Sequence, residues 1–155
     1  MNNKEVMELA IKEAKKTMNK DMGGPFGTAI VKDGKVIAVS SNTVLAGHDP
    51  TAHAEINAIR KAGVELKTHD LSGCTLYATG YPCPMCLSAI IWANIKEVYY
   101  GTGLDDAEKI GFRDDFIYDF IKNSNEQGLL KLKNISKEEC LELFKEYEEK
   151  EKEIY

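Results

Sequence analysis

Two short segments constrain the fold of this 155-residue chain more than any other part of it, because their side chains suit one shared metal site. The first is Thr51-Ala-His-Ala-Glu55, and the second is Pro82-Cys-Pro-Met-Cys86. Helix signals accompany both: apolar residues recur at helical spacing after the histidine, and a proline directly follows the first cysteine. A fold that unites the two segments must therefore bring two helix N-termini together.

The donor set consists of one imidazole and two thiolates, from His53, Cys83 and Cys86. Nitrogen and sulfur donors suit zinc, and three protein ligands leave a fourth position open for water, which is typical of a catalytic site. We therefore predict one zinc ion per chain, with a catalytic water. Glu55 is not needed as a ligand, and its carboxylate is placed to take a proton from that water and return it to a substrate.

Other interpretations of these residues explain fewer of them than a catalytic zinc site does. The Cys83-x-x-Cys86 spacing alone suits a redox pair, but His53 and Glu55 would then have no role. A zinc scaffold without activity would need neither Glu55 nor an open coordination position. The chain has four cysteines, and for the remaining two, Cys74 and Cys140, core packing is the default interpretation.

Strand-like runs alternate with helical segments, which predicts a single layered α/β domain over residues 1–155. The predicted helices cover roughly 2–20, 50–62 with a stop at Gly63, 84–93, short pieces through 121, and 136–153, which begins with an S-x-x-E capping box. The predicted strands cover 26–31 and 36–39, as a hairpin around Asp33-Gly34, and then 74–79, 97–100 and, as a last edge strand, 129–135. The 84–93 helix is apolar nearly all round, which predicts burial on several sides.

Charge and hydropathy narrow the choice of partners. The net charge of −5 and the scattered basic residues do not favour a nucleic-acid partner, because such proteins usually show a basic face. No stretch approaches the ~20 apolar residues of a membrane span, and the N-terminus lacks the features of a secretory signal. We therefore expect a cytoplasmic protein without a nucleic-acid or membrane partner.

The H-x-E and P-C-x-x-C motifs resemble those of the cytidine-deaminase-like superfamily of zinc-dependent nucleobase deaminases. Within it, the chain is similar to the small bacterial guanine deaminases. The likeness extends over Gly23-Gly-Pro-Phe-Gly27, Val31-Lys-Asp-Gly34, Asp49-Pro-Thr-Ala-His-Ala-Glu55, Pro82-Cys-Pro-Met-Cys-Leu87, Ile91-Trp-Ala93, Gly111-Phe112, Phe116-Ile-Tyr118 and Tyr155. The zinc motifs specify only the superfamily, whereas the Gly-Phe and Phe-Ile-Tyr blocks and the terminal tyrosine indicate the guanine branch.

This resemblance implies a three-layer α/β/α fold with a five-stranded mixed sheet, and a homodimer in which the C-terminal segment, about 136–155, crosses to the partner. It implies hydrolytic deamination of a free purine base, guanine to xanthine plus ammonia, with Glu55 and Asp114 as catalytic residues. The base-binding positions that it implies are Phe26, Asn42, the backbone of Ala54, Trp92 and, from the other subunit, Tyr155.

The residue types agree with these roles but leave alternatives open. Phe26 and Trp92 could wall an aromatic base or pack in the core, and Asn42 offers both a donor and an acceptor. Asp115 is an alternative to Asp114. Many relatives carry glutamate directly before the Pro-Cys pair, where this chain has Tyr81, so other substrates stay open. The alternative substrates are the wobble adenosine of tRNA, cytosine and other free aminated bases.

Overall fold

The structure is a computed structural model that describes residues 1–123, 128–151 and 153–155. The chain forms two compact units, Met1–Asp114 and Asp115–Tyr155. The first unit contains α1 (Asn3–Met18), β1 (Gly27–Lys32), β2 (Lys35–Ser41), α2 (Val44–Gly47), α3 (Ala54–Leu66), β3 (Cys74–Gly80), α4 (Pro84–Trp92), β4 (Glu97–Thr102) and α5 (Leu104–Lys109). The second contains α6 (Asp115–Asn123) and α7 (Lys137–Glu148). That residues 1–155 form one domain stays a prediction.

Helix α1 begins where its sequence supplies a capping box. The side chain of Asn2 accepts a hydrogen bond from the backbone N–H of Glu5, and the Glu5 side chain accepts one from the N–H of Asn2. These reciprocal bonds satisfy donors that the first helical turn leaves unpaired. The buried face of α1 carries Val6, Ala10 and Ala14, as its helical spacing predicts.

The sheet of the first unit has the strand order β2-β1-β3-β4. Strand β1 is antiparallel to both β2 and β3, whereas β3 and β4 run parallel, so the sheet is mixed. The predicted hairpin is confirmed. Asp33 and Gly34 both have positive φ, at 50° and 73°, which matches the twist of two-residue hairpin turns.

The prediction of five strands is wrong, because the sheet that the structure describes has four. The expected last strand, 129–135, has no strand pairing. Its apolar side chains are all exposed: Leu129, Leu130, Leu132 and Ile135. The alternation of leucine and lysine in this segment resembles a half-buried strand, but an alternating pattern forms no strand without a neighbouring backbone to bond.

Helices cover both faces of this sheet, which gives the first unit three layers. Ala29 and Tyr77 pack with Val6 and Ala10 of α1, while Ile30, on the opposite side of β1, packs with α3 and α4. Helix α3 contributes the buried Ala58 and Ala62 to the cluster around Ile30, and its half-buried Ile59 and Leu66 pack against that cluster. Alanines at the buried positions of α3 let the helix axis approach the sheet closely.

Helix α3 begins and ends later than its sequence indicates. The Asp49 carboxylate accepts hydrogen bonds from both the backbone N–H (2.8 Å) and the hydroxyl (2.7 Å) of Thr51, which holds residues 49–52 in a turn outside the helix. Gly63 lies inside the helix and does not stop it. The helix ends at Leu66, and the backbone of the next residue, Lys67, is left-handed.

Other expectations also fail in the details. Helix α4 is buried on one side only, since Ile91 and Trp92 are exposed. Ser136 makes no side-chain cap hydrogen bond at α7, so the predicted capping box is absent there. Cys74 is buried as expected, but Cys140 is exposed on α7.

No helix in the described part of the chain is long and apolar enough to cross a membrane.

Candidate active site

Three side chains with metal-binding atoms meet where α3 and α4 begin. His53 is the N-cap residue of α3, Cys83 is the N-cap residue of α4, and Cys86 lies in the first turn of α4. The Nδ1 atom of His53 lies 3.6 Å from the Sγ atom of Cys83 and 3.6 Å from that of Cys86. All three ligand atoms lie within 4.8 Å of one another. The two helix starts therefore converge on one centre.

These distances fit a zinc ion. Zn–N and Zn–S bonds of about 2.1 Å and 2.3 Å at tetrahedral angles place a nitrogen about 3.6 Å from a sulfur. Cys83 and Cys86 are free thiols. Neither His53 nor Cys83 makes a side-chain hydrogen bond to its own helix start. Both N-cap side chains therefore remain available to a metal.

The protonation of the cluster also suits a cation. The hydrogen bond from Cys86 is the largest of the causes that lower the pKa of Cys83 to about 4, and it raises the pKa of Cys86. The Cys83 sulfur in turn raises the pKa of His53 by hydrogen bonding. The positive ends of two helix dipoles favour thiolate at the same point. A divalent cation would bind here and displace the remaining protons.

Glu55 lies beside the donor atoms without belonging to them. It is the second residue of α3, and only 7% of it is exposed. Burial is the main cause that raises the pKa of its carboxyl, while the neighbouring Cys86 thiol opposes that shift. The ligand cluster found among the described residues contains His53, Cys83 and Cys86 but not Glu55. This carboxyl can therefore exchange a proton inside the site and leave the metal ligands unchanged.

Asn42 lies at the end of β2 with its side chain oriented by backbone groups. Its own N–H donates to the carbonyl of Phe26 (3.0 Å), and its Oδ1 accepts from the N–H groups of Gly24 (3.3 Å) and Val44 (3.1 Å). A Cβ at Gly23 would overlap the Asn42 carbonyl and Oδ1, so this close approach requires glycine. Because Oδ1 is engaged, the Asn42 amide can offer a ligand its N–H donors but not the acceptor that its residue type suggests.

A second aromatic ring packs against Phe26. Its ring centroid lies 5.1 Å from that of Phe112, at an interplanar angle of 86°. A Cβ at Gly24 would lie 3.1 Å from atoms of both rings, so glycine makes room for the pair. Phe112 was part of the sequence resemblance, but no role was predicted for it. In the structure it fixes the orientation of Phe26.

The remaining predicted residues differ in where they lie. Ala54 is fully buried as the first residue of α3, where a backbone N–H has no acceptor within the helix. Asp114 is half-buried at the end of the first unit, while Asp115 is exposed at the start of α6. Trp92 is 70% exposed at the end of α4, and Tyr155 is 78% exposed in the second unit.

The positions of Trp92 and Tyr81 correct or extend what the sequence predicts. The exposure of Trp92 rules out the core-packing interpretation for this residue. Tyr81, which directly precedes the Pro82-Cys83 pair, makes a T-shaped ring contact with Tyr100, with centroids 5.0 Å apart. Tyr81 is therefore held by an aromatic neighbour on the adjacent strand.

Sequence reasoning missed Asn57. Its side-chain nitrogen donates hydrogen bonds to the carbonyls of Ser41 and Ala52 and to the hydroxyl of Thr43. A signal for it exists in the sequence. Asparagine disfavours helix interiors, because its side chain competes for backbone groups, yet it stands four residues after His53 in a predicted helix.

The fold and the donor set together define a zinc-dependent deaminase. The profile of the cytidine and deoxycytidylate deaminase zinc-binding region matches residues 1–102, and the chain belongs to that family. The predicted zinc cofactor and enzyme class are thereby confirmed.

Individual relatives extend the likeness beyond the zinc region. Guanine deaminase of Bacillus subtilis (strain 168) is 43% identical over 144 residues, which is 93% of this chain and 92% of that protein. An X-ray structure of guanine deaminase from Bacillus subtilis matches with a TM-score of 0.94 at 41% identity, covering 100% of this chain and 99% of that one. The tRNA-specific adenosine deaminase of Buchnera aphidicola subsp. Schizaphis graminum is 36% identical over 124 residues, which is 79% of each protein.

Proposed function

We propose that this chain catalyses the hydrolytic deamination of guanine to xanthine and ammonia. The observation that carries the proposal is the extent of the likeness to guanine deaminase, which covers 100% of the chain in the structural comparison. The zinc-region profile ends at residue 102, so it cannot by itself distinguish one deaminase substrate from another. Residues 103–155 are therefore the part of the chain that favours guanine.

Water attacks C2 of the base, and the amine leaves from the same carbon. His53, Cys83 and Cys86 would hold the zinc ion, which when bound makes water a nucleophile near neutral pH. Glu55 accepts one proton from the attacking water and delivers it to N3 of the ring. It then carries the second proton of that water to the amino group, which leaves as ammonia while the C2 carbonyl of xanthine forms.

The surrounding residues bind and orient the base. Phe26, fixed by Phe112, forms one wall of the pocket. Asn42 donates an N–H to an acceptor on the purine edge, since its own oxygen is engaged by backbone groups. The N–H of Ala54 offers a second donor at the helix start. Asp114 accepts hydrogen bonds from the amino group and a ring N–H. Its half-buried position supports it over the exposed Asp115.

A homodimer would complete this site. Helix α4 leaves Ile91 and Trp92 exposed, and the neighbouring strand β4 exposes Tyr100. Apolar side chains concentrated on adjacent elements favour burial against a second subunit. In the dimer, Trp92 would form a wall against the base, and Tyr155 of one subunit would close over the base in its partner.

We also propose that the enzyme is cytoplasmic, because the two ligand thiols, Cys83 and Cys86, must stay reduced to bind zinc.

A panel assay of ammonia release tests this function. Purified, zinc-loaded protein is incubated with guanine, guanosine, cytosine and tRNA that carries a wobble adenosine. We expect guanine to react fastest and to yield xanthine, and guanosine to react poorly, since a pocket closed by a neighbouring tail leaves little room for ribose. Inosine formation in tRNA, with salt-dependent binding and no ammonia from guanine, would overturn the proposal in favour of tRNA editing.

A further inference from the structure

The side-chain amide of Asn57 joins two segments that approach α3 from different directions. Its Nδ2 atom lies 2.9 Å from the Ser41 carbonyl oxygen and 3.0 Å from the Thr43 hydroxyl, both at the end of β2. The same atom lies 3.3 Å from the Ala52 carbonyl oxygen, in the turn that leads into α3. One amide group therefore holds the end of a strand and the approach to a helix together.

Each of these segments carries a residue of the site. Asn42 stands between Ser41 and Thr43, and Ala52 directly precedes His53. The backbone strengthens the connection, because the N–H of Thr43 donates to the Ala52 carbonyl at 3.0 Å. The N–H of Asn57 also donates to the carbonyl of His53, at 3.0 Å. Asn57 is thus bonded to the residues on both sides of Asn42 and to the metal-ligand residue itself.

We infer that Asn57 is a positioning residue that fixes the Asn42 amide relative to the metal centre and so sets the affinity for the base. The inference rests on the proposed function, since it assigns Asn42 to the base. The Asn42 oxygen is bonded to the N–H groups of Gly24 and Val44, so its N–H donors point wherever the end of β2 places them. If that strand end moved relative to His53, the Asn42 donors would no longer align with a base whose reacting carbon lies at the metal.

The chemistry of the three contacts explains why an amide is needed. Two of the three partners are backbone carbonyls, which can only accept hydrogen bonds, so the residue at 57 must donate to them and carry no negative charge. Aspartate has nearly the same shape but no donor, and its carboxylate would face two carbonyl oxygens. An Asn57→Asp substitution therefore replaces attraction with repulsion at both carbonyls while the volume stays nearly constant.

The main experiment compares Asn57→Asp with Asn3→Asp as a matched control. Asn3 accepts a hydrogen bond from the Tyr77 hydroxyl (2.8 Å), and a carboxylate at that position still accepts it. For Asn57→Asp we expect the KM for guanine to rise about tenfold or more, with kcat changed by less than about threefold and about one zinc per chain retained. For Asn3→Asp we expect both constants to stay within about twofold of the wild type.

A double substitution tests whether Asn57 acts through Asn42. In an Asn42→Ala background, Asn57→Asp should raise KM no further than Asn42→Ala does alone. Asn57→Ala removes the donors without adding a charge, and it gives the same comparison if the aspartate variant does not fold. An unchanged KM in an active Asn57 variant, or a full additional effect in the Asn42→Ala background, would overturn the inference. Failure of the proposed function is distinct, because the wild type itself would then leave guanine unreacted.

Discussion

Glu55 has the position that a proton carrier needs in this site. It is buried, it lies two residues after His53 in a helix that begins at the metal centre, and it is absent from the ligand cluster. Its neighbours are the sulfurs and the imidazole of that cluster, so its distance from a reacting water is set by the helix start. A single residue therefore links the metal site to the proton transfers.

Replacing Glu55 with glutamine should separate catalysis from metal binding. The amide keeps the shape of the side chain but cannot accept the proton, so we expect kcat for deamination to fall by a factor of about 10² or more. Zinc content should stay at about one ion per chain by elemental analysis. Loss of zinc together with activity would show that Glu55 holds the metal, contrary to its proposed role.

Thr28 gives a stability prediction at the same scale. It is fully buried on β1, and no group in the described part of the chain pairs with its hydroxyl. Thr28→Val puts a methyl group in place of that hydroxyl and breaks no protein hydrogen bond. We therefore expect the free energy of unfolding to rise by about 1 kcal/mol, measured by urea denaturation. A clear loss of stability would contradict this expectation.

At the scale of secondary-structure elements, the site depends on how closely helices approach the sheet. Helix α1 lies so near β1 that a Cβ at Gly27 would overlap the Ala10 carbonyl. Phe26 and Asn42 lie just beyond the same end of β1 and β2. Small residues in the core therefore position the residues that line the pocket.

Gly27→Ala should destabilise the protein without touching the metal. The added methyl group forces α1 away from β1, and overpacking of this kind costs about 1–3 kcal/mol of unfolding free energy. Gly47→Ala is the matched control, since its new Cβ would meet only Asp49, at 3.9 Å. Chemical denaturation of the two variants should separate them, with the control within about 0.5 kcal/mol of the wild type. Equal stability of the two variants would contradict the close packing.

Most patterns that depend on neighbours in sequence were predictable, and most contacts between distant segments were not. The metal motifs, the Asp33-Gly34 hairpin and the face of α1 each depend on neighbours in sequence, so they could be read directly. The start of α3 was misplaced because the Asp49 carboxylate forms a turn that competes with the helix. The strand over 129–135 was wrong, since alternation cannot reveal whether a partner strand exists. The orientation of the Asn42 amide depends on Gly24 and Val44, and residue type alone cannot show it.

At the scale of the whole molecule, the second unit ends in an exposed aromatic residue. Tyr155 follows a strongly acidic helix segment, and such termini usually tolerate deletion. The proposed function assigns it instead to closing the pocket of a partner subunit, where it would exclude water from the base.

Deleting Ile154 and Tyr155 distinguishes these two interpretations. We expect kcat/KM for guanine to fall about tenfold or more, while zinc content and Tm stay nearly unchanged. Activity of the shortened protein within about twofold of the full chain would contradict the closing role.

Complementation between two impaired chains tests whether the tyrosine acts across subunits. A Glu55→Gln chain is co-expressed with a chain that lacks 154–155. Mixed dimers would then contain one site with an intact Glu55 and a tyrosine from the partner. Random pairing should restore about a quarter of the wild-type activity per chain. If the mixture is no more active than the shortened chain alone, Tyr155 does not act across subunits.

Removal of the metal should destabilise the starts of α3 and α4 together. His53 and Cys83 occupy the N-cap positions of α3 and α4, so a zinc ion held by both residues would link the two helix starts. We expect dialysis against a chelator to lower Tm by more than about 5 °C, and we expect readdition of zinc to restore it. Backbone amides at the starts of α3 and α4 should lose hydrogen-exchange protection first. Uniform loss of protection across the sheet would contradict this order.

If the helix starts open without the ion, the lifetime of the protein should depend on metal supply. Helix ends that fray without the ion expose cleavable backbone, and proteases act on such locally opened segments. During zinc shortage, a cell would clear the unmetallated chains and recover their amino acids, so it would hold no reserve of inactive enzyme to be reactivated. Recovery of purine deamination would then require new synthesis, and it would lag behind the return of zinc.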